Sequence, residues 1–158
     1  MSGRVFLKMD FTNVIKGLEE IRQELPRIAE LIIEQSKTQI LDLIRKDQLF
    51  EQGIDGTGQK LQPYTTFTMA VKRAEGKDPN IVTLFDTGDF YRGFDLLFTD
   101  QFSIGVFSRD DKTPELVEKY GNDIFTFTIE NNQVLNEDII KPQLVEWILE
   151  QIQILLTR

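Results

Sequence analysis

Residues 12–44 read TNVIKGLEEIRQELPRIAELIIEQSKTQILDLI, and this stretch decides the fold class. Val14, Leu18, Ile21, Leu25, Ile28 and Ile32 alternate steps of four and three, which places them on one face of a helix. Ile33, Ile40, Leu41 and Ile44 continue the apolar face. Thr12 and Asn13 are the residue types that cap a helix start. Pro26 removes one backbone donor and crowds the turn before it, which predicts a kink or a break there. The spacing also suits a coiled coil, but a helix packed on a sheet gives the same stripe and is the preferred reading. Ahead of the stretch, residues 4–11 read as a short strand or extended lead-in.

The other end of the chain carries the matching element. Pro142 opens a helix whose stripe is Leu144, Val145, Ile148, Leu149, Ile152, Leu155 and Leu156, with Trp147 on its flank. Between the two ends the pattern is mixed. Asp47 to Gln62, with Gly53, Gly56 and Gly58 close together, reads as a loop long enough to be functional. Thr65 caps a helix over Phe67–Ala74, and Gly76, Asp78, Pro79 and Asn80 make a turn. Asp86 or Thr87 caps a short helix carrying Phe90, Tyr91 and Phe94. Residues 95–99 and 102–107 form a hairpin. Thr113-Pro114-Glu115 starts a helix that runs to Tyr120 and stops at Gly121-Asn122. Ile124 to Glu130 alternates as a strand, with a turn at Asn131-Asn132 and Val134-Leu135 pairing back. These elements predict one α+β domain over residues 1–158, with a small antiparallel sheet packed against long N-terminal and C-terminal helices.

Composition narrows the chemistry. The chain has 158 residues, no Cys and no His, and Lys+Arg 18 against Asp+Glu 26 gives a net charge of −8. A chain of this length buries roughly 70% of its unfolded surface and needs no disulfide or metal staple. Without Cys or His, zinc fingers, iron–sulfur clusters and Ser-His-Asp or Cys-His catalysis are excluded. The basic residues are scattered, unlike a duplex-binding surface. The acidic balance suits solubility first, and the wall of a conduit that repels DNA second. No stretch reads as a secretory leader or as a membrane span, so a soluble protein is expected.

Three constellations invite a chemical reading. The run Gly53 to Leu61 fails the Walker pattern, because Gln59 separates Gly58 from Lys60 and Leu61 stands where a hydroxyl is needed. Asp86 and Asp89 could work as paired carboxylates or hold a hard cation, although a helix cap with a first-turn acid explains them more simply. Phe85, Phe90, Tyr91 and Phe94 crowd a short helix, and any part left exposed would mark a protein–protein contact. No cofactor is expected.

The middle of the chain resembles a known family. The residues are Phe50, Gly53, Asp55-Gly56, Gly58, Leu61 and Pro63-Tyr64-Thr65, then Thr68 and Lys72, then Leu84, Thr87-Gly88, Phe90 and Phe94, with Tyr120-Gly121 and a C-terminal helix beyond. Over residues 14–121 this order is similar to the phage virion-morphogenesis and tail-completion proteins, also called head–tail joining proteins. Tyr64 stands where Trp is commoner in that family, its aromatic-Gly step lacks the usual His, and residues 122–140 are unusual. The resemblance implies a non-enzymatic structural protein of a tailed phage or prophage. It would be present in the host cytoplasm before assembly and then in the virion neck or tail. Its partners would be copies of itself in a ring and other neck and tail proteins, with DNA passing nearby unbound and neither membrane nor small-molecule substrate involved. Phe50, Gly53, Asp55, Gly56, Gly58, Leu61, Pro63, Tyr64, Phe85, Phe90, Tyr91 and Phe94 are the expected interface residues. The loop near 47–64 is expected to be mobile or to form an interface, and the Gly53–Tyr64 loop and the Gly76–Asn80 turn are expected to order on assembly. The rival expectations are a magnesium-dependent hydrolase or nuclease using Asp86 and Asp89, and a non-viral adaptor with a Phe-rich surface.

Overall fold

The computed structural model describes residues 11–99 and 103–157, so the lead-in at 4–10 and the hairpin tip at Asp100-Gln101 lie outside the described residues. The chain is mostly helical, with a two-stranded antiparallel sheet and long helices at both ends, an α+β arrangement. Helix α1 spans Thr12–Gln35. Thr12 is its first helical residue and Phe11 precedes it without a side-chain capping bond, so neither Thr12 nor Asn13 is the cap. The helix also runs unbroken through Pro26. Arg22, one turn back, is exposed, so water can take over the carbonyl that loses its donor. The interruption falls instead at Ser36, after which α2 (Lys37–Asp42) leads into a wider-wound π-helical stretch, Leu43–Gln52. Residues 47–52, expected in a loop, are therefore helical.

This second helical segment is the hub of the core. Leu41, Ile44 and Leu49 pack with Leu61, Val82, Phe90, Tyr91, Phe94 and Ile124 on one side. Ile40 and Leu43 pack with Ile33, Leu135 and Ile139 on the other. The hairpin β1 (Phe94–Phe98) and β2 (Ile104–Ser108) pairs Phe94 with Ser108 and Phe98 with Ile104. Asp95 on β1 fastens it to α2 through Lys37 Nζ at 2.5 Å, and also meets Arg109. The Lys37 hydrogen bond, helped by the Leu96 N–H, holds the Asp95 carboxyl below the usual range.

Helix α3 (Thr66–Ala74) starts as expected, with Thr65 Oγ1 accepting from the Thr68 N–H. Helix α4 is one turn, Asp89–Arg92, entered through Gly88 rather than capped by Asp86 or Thr87, and Phe94 lies beyond it on β1. Helix α5 (Thr113–Tyr120) carries Pro114 in its first turn and ends at Gly121, with Lys112 rather than Thr113 before it.

The largest departure is at residues 124–135. A 3-10 turn covers Asn122–Phe125, and helix α6 (Ile129–Gln133) continues through π-helical Val134–Ile140 into α7 (Lys141–Leu156). There is no strand and no Asn131-Asn132 turn. Only the residues around Thr126 and Thr128 are extended. Their hydrogen bonds go to a side chain: Gln48, 0% exposed, donates through Nε2 to the Thr126 carbonyl at 3.0 Å and accepts through Oε1 from the Thr128 N–H at 2.9 Å. Asn131 Nδ2 reaches the same Oε1 at 3.0 Å and the Leu43 carbonyl at 2.7 Å.

Helix α7 pairs with α1. Gly17 meets Leu155 at one end and Gln143 bonds Ser36 Oγ at the other, so the two helices run antiparallel. The α1 stripe thus meets a helix over most of its length, not the sheet, and it is α2 that lies against β1. No residue of α7 is fully buried, so its stripe is not core as expected.

Gln48→Leu would strand the Thr126 carbonyl, the Thr128 N–H and one arm of Asn131. It should cost about 2–4 kcal/mol, read by chemical denaturation, whereas Asn132→Ala on the exposed side should change stability by no more than ~0.5 kcal/mol.

Candidate functional site

Tyr64 and helix α3, which follow the glycine loop, form one side of a cleft. Gly53 ends the π-helical stretch at φ +62°, and a Cβ there would stand 2.9 Å from Ile81, so position 53 needs glycine on both counts. The chain then folds back on itself. The Asp55 carboxylate accepts from the Thr57 N–H at 2.8 Å, the Thr57 hydroxyl at 2.6 Å and the Gln59 N–H at 3.2 Å. Ile54 bridges Lys60, and the Leu61 N–H donates to the Gly53 carbonyl at 2.9 Å. Gly56 donates its N–H to the Asp123 carbonyl at 2.8 Å and lies so close to Thr126 that a Cβ would meet its backbone oxygen at 2.6 Å. The loop is therefore tied by hydrogen bonds within the single chain.

Past the loop, Tyr64 orients the segment that faces it. Its hydroxyl accepts from the Thr83 N–H at 3.1 Å, while the Tyr91 hydroxyl donates to the Thr83 carbonyl. Burial raises the Tyr91 pKa, so its proton stays in place as a donor. Pinned on both sides at Thr83, the chain turns through Leu84 at φ +53°, a conformation that costs a branched side chain about 1–2 kcal/mol.

The cleft so formed has a volume of about 360 Å³ and lies between α3, residues 84–90 and α5. Tyr64, Leu84, Leu116 and Tyr120 give it an apolar floor, and Lys72, Glu75, Asp86 and Lys112 stand among its lining residues. Lys72 Nζ lies 4.8 Å from the centre of the Tyr64 ring. Asp86 and Lys112 approach to 3.7 Å, while Asp89 is held by the Thr87 hydroxyl and Arg92. Those two partners, the Thr87 bond foremost, lower the Asp89 pKa, the opposite of what a proton-donating carboxyl needs. Among the described residues, no group of three or more acidic side chains gathers as a metal site would require.

Of the expected interface residues, Phe90, Tyr91, Phe94, Leu61 and Gly53 are buried and serve the folded chain itself. Phe94 packs edge-on against Phe90 and Tyr91, Phe125 packs at a tilt against Phe90 and Phe94, and a single domain does bury Phe90, Tyr91 and Phe94. Phe85 is half-buried between Tyr91 and Phe50, with ring centres 5.3 and 5.5 Å away. Phe50, Gly58 and Pro63 are exposed, while Asp55, Gly56 and Tyr64 are half-buried.

Helix α3 was not among the expected interface residues, yet it is the most outward element of this region. None of its residues is buried, and Phe67 is 79% exposed. Phe67, Ala70, Val71 and Ala74 recur at helical spacing, and all four are exposed. That spacing was present in the sequence and would have marked the face. No helix of the described residues is long and apolar enough to cross a membrane. Comparison with protein-family models, curated proteins and solved structures gives no match.

Gly56→Ala should lower stability by about 2–3 kcal/mol, because the new methyl would run into the Thr126 hydroxyl and, behind it, the Thr126 backbone. Gln59→Ala, one turn along the same loop and exposed, should leave thermal unfolding unchanged.

Proposed function

We propose that this chain is a structural subunit of a tailed-phage neck or tail end, a completion or head–tail joining component that assembles with copies of itself, as a ring, and with neighbouring neck and tail proteins. The motif order from Phe50 to Tyr120 supports the family. The observation that carries the docking role is α3, held out beside the cleft with Phe67, Ala70, Val71 and Ala74 facing away from the core. Covering Phe67 alone is worth about 2 kcal/mol, enough to make a small helix face matter in a repeated contact. Lys72 over the Tyr64 ring and the bond from the Thr83 N–H to the Tyr64 hydroxyl tie this helix to the fold, so little ordering entropy is lost on docking. The net charge of −8 suits a subunit beside a DNA passage, where an acidic wall lets the polyanion slide without adhering. Asp86 and Asp89 serve this reading as cleft charges paired to Lys112 and Arg92.

The test is incorporation of the purified protein into neck or tail assemblies lacking it. The wild type should incorporate. The double variant Phe67→Ser with Val71→Ser should lose incorporation by about tenfold or more while its circular dichroism stays unchanged. A wild-type chain that joins no neck or tail component, or a double variant that joins as well as the wild type, would overturn the reading.

A further inference from the structure

The outer edge of the hairpin is unpaired. The Arg109 N–H donates to the Gly93 carbonyl and the Thr99 N–H to the Ser103 carbonyl, each at 2.8 Å, one at each end of the β1–β2 ladder. In the register that sets Leu96 opposite Val106, the bonded pairs between those ends are Asp95 with Phe107 and Leu97 with Gly105. Ile104 and Val106 therefore turn their backbone N–H and carbonyl groups away from β1. Among the described residues, no further strand pairs with β2 and no group bonds those four. A groove of about 380 Å³ lies along this edge, with Ile104, Gly105 and Val106 on one side and Phe125, Thr126 and Phe127 on the other. No described residue of β1 lines it. Ile104 to Ser108 holds no charge and no proline, the devices that usually keep an open edge from pairing.

We infer that residues 5–9 of a second copy, Val5-Phe6-Leu7-Lys8-Met9, add a strand to β2 and fill this groove. Three observations select that segment. Val5, Leu7 and Met9 alternate with Phe6 and Lys8, an extended pattern free of glycine and proline, as strand addition to an edge requires. Arg4 and Lys8 against Asp10 make the first ten residues positive, whereas the whole chain carries −8, so another copy attracts them. The third is reach, which rules out the chain's own edge. Ile104 packs against the cluster that holds Ile33, near the C-terminal end of α1. Phe11, at the other end of that helix, stands about 33 Å from Ile33 at a rise of about 1.5 Å per residue. Met9 lies two residues before Phe11, no more than about 7 Å away. Donor and acceptor are different parts of the chain, so the contact is heterologous, the kind that repeats around a ring. The inference needs no virion role, although it supplies the contact between copies that the proposed ring requires.

Amide hydrogen exchange of the full chain over a concentration series tests it, with sedimentation velocity to follow mass and circular dichroism to confirm folding. In dilute solution the Ile104 and Val106 amides should exchange as exposed groups. At concentrations where the mass rises above the monomer, both should slow by about tenfold or more. Phe6→Pro with Leu7→Pro removes a donor whichever of the two faces β2, and should weaken self-association by about tenfold or more. Phe67→Ser with Val71→Ser, on α3, should leave the slowing at Val106 intact. A wild type that stays monomeric at every concentration would overturn the inference. So would associated chains whose Ile104 and Val106 amides still exchange freely, or a double-proline variant that associates as tightly as the wild type. Association that depends on residues 6 and 7, in a protein with no affinity for neck or tail components, supports the inference and counts only against the proposed function.

Discussion

One buried amide holds this fold together. Gln48 sits on the hub helix, away from solvent, and presents to residues 126–128 the donor and acceptor that a neighbouring strand would present. A side chain thus supplies one rung of a β-ladder. The arrangement satisfies backbone groups that could not be buried otherwise, and unmade bonds of this kind cost far more than made ones contribute. The rung fixes the backbone between the 3-10 turn and helix α6. Thr128, fixed at its N–H, starts helix α6 with its own hydroxyl, and the helical run to Leu156 follows from that start.

The same region locks the glycine loop. Gly56 donates to Asp123 two residues before Phe125 enters the aromatic core, so the glycine loop, the 3-10 turn and the rings of Phe90 and Phe94 form one packed unit. Tyr64 and Tyr91 then clamp Thr83 between them. The result is a packed unit beside which the short apolar face of α3 stands exposed. Around the cleft, Asp86 is paired with Lys112 and Asp89 with Arg92.

Much of this was legible in the residues. The stripe of α1, the hairpin, the Thr65 cap, the Thr113-Pro114 start and the α+β class follow from periodicity and turn chemistry, which are local. Three things were not. The period-two pattern of Phe125 to Thr128 describes real extended backbone, but its partner is a glutamine side chain 78 residues away, which no local pattern encodes. The glycine loop has a flexible composition, yet it is tied by the Asp55 carboxylate and by Asp123, contacts that only the tertiary fold creates. The stripe of α7 is as apolar as a core helix, yet Leu144, Ile148, Ile152 and Leu155 are only half-buried and Val145, Leu149 and Leu156 are exposed. Phe90, Tyr91 and Phe94 were read as surplus because counting aromatics does not reveal how edge-on packing lets one small core hold them. The outward face of α3 was readable from its spacing, but Phe67 and Val71 gave no sign that the core would leave them out.

The account stands or falls on the Gln48 rung, and amide hydrogen exchange at Thr128 reads it directly. With its N–H bonded to Gln48 Oε1 in the interior, Thr128 should exchange only when the whole domain unfolds, in the slowest class together with the core amides of Ile44 and Leu49. Exchange of the Thr128 amide as fast as that of exposed Gln62 would contradict it.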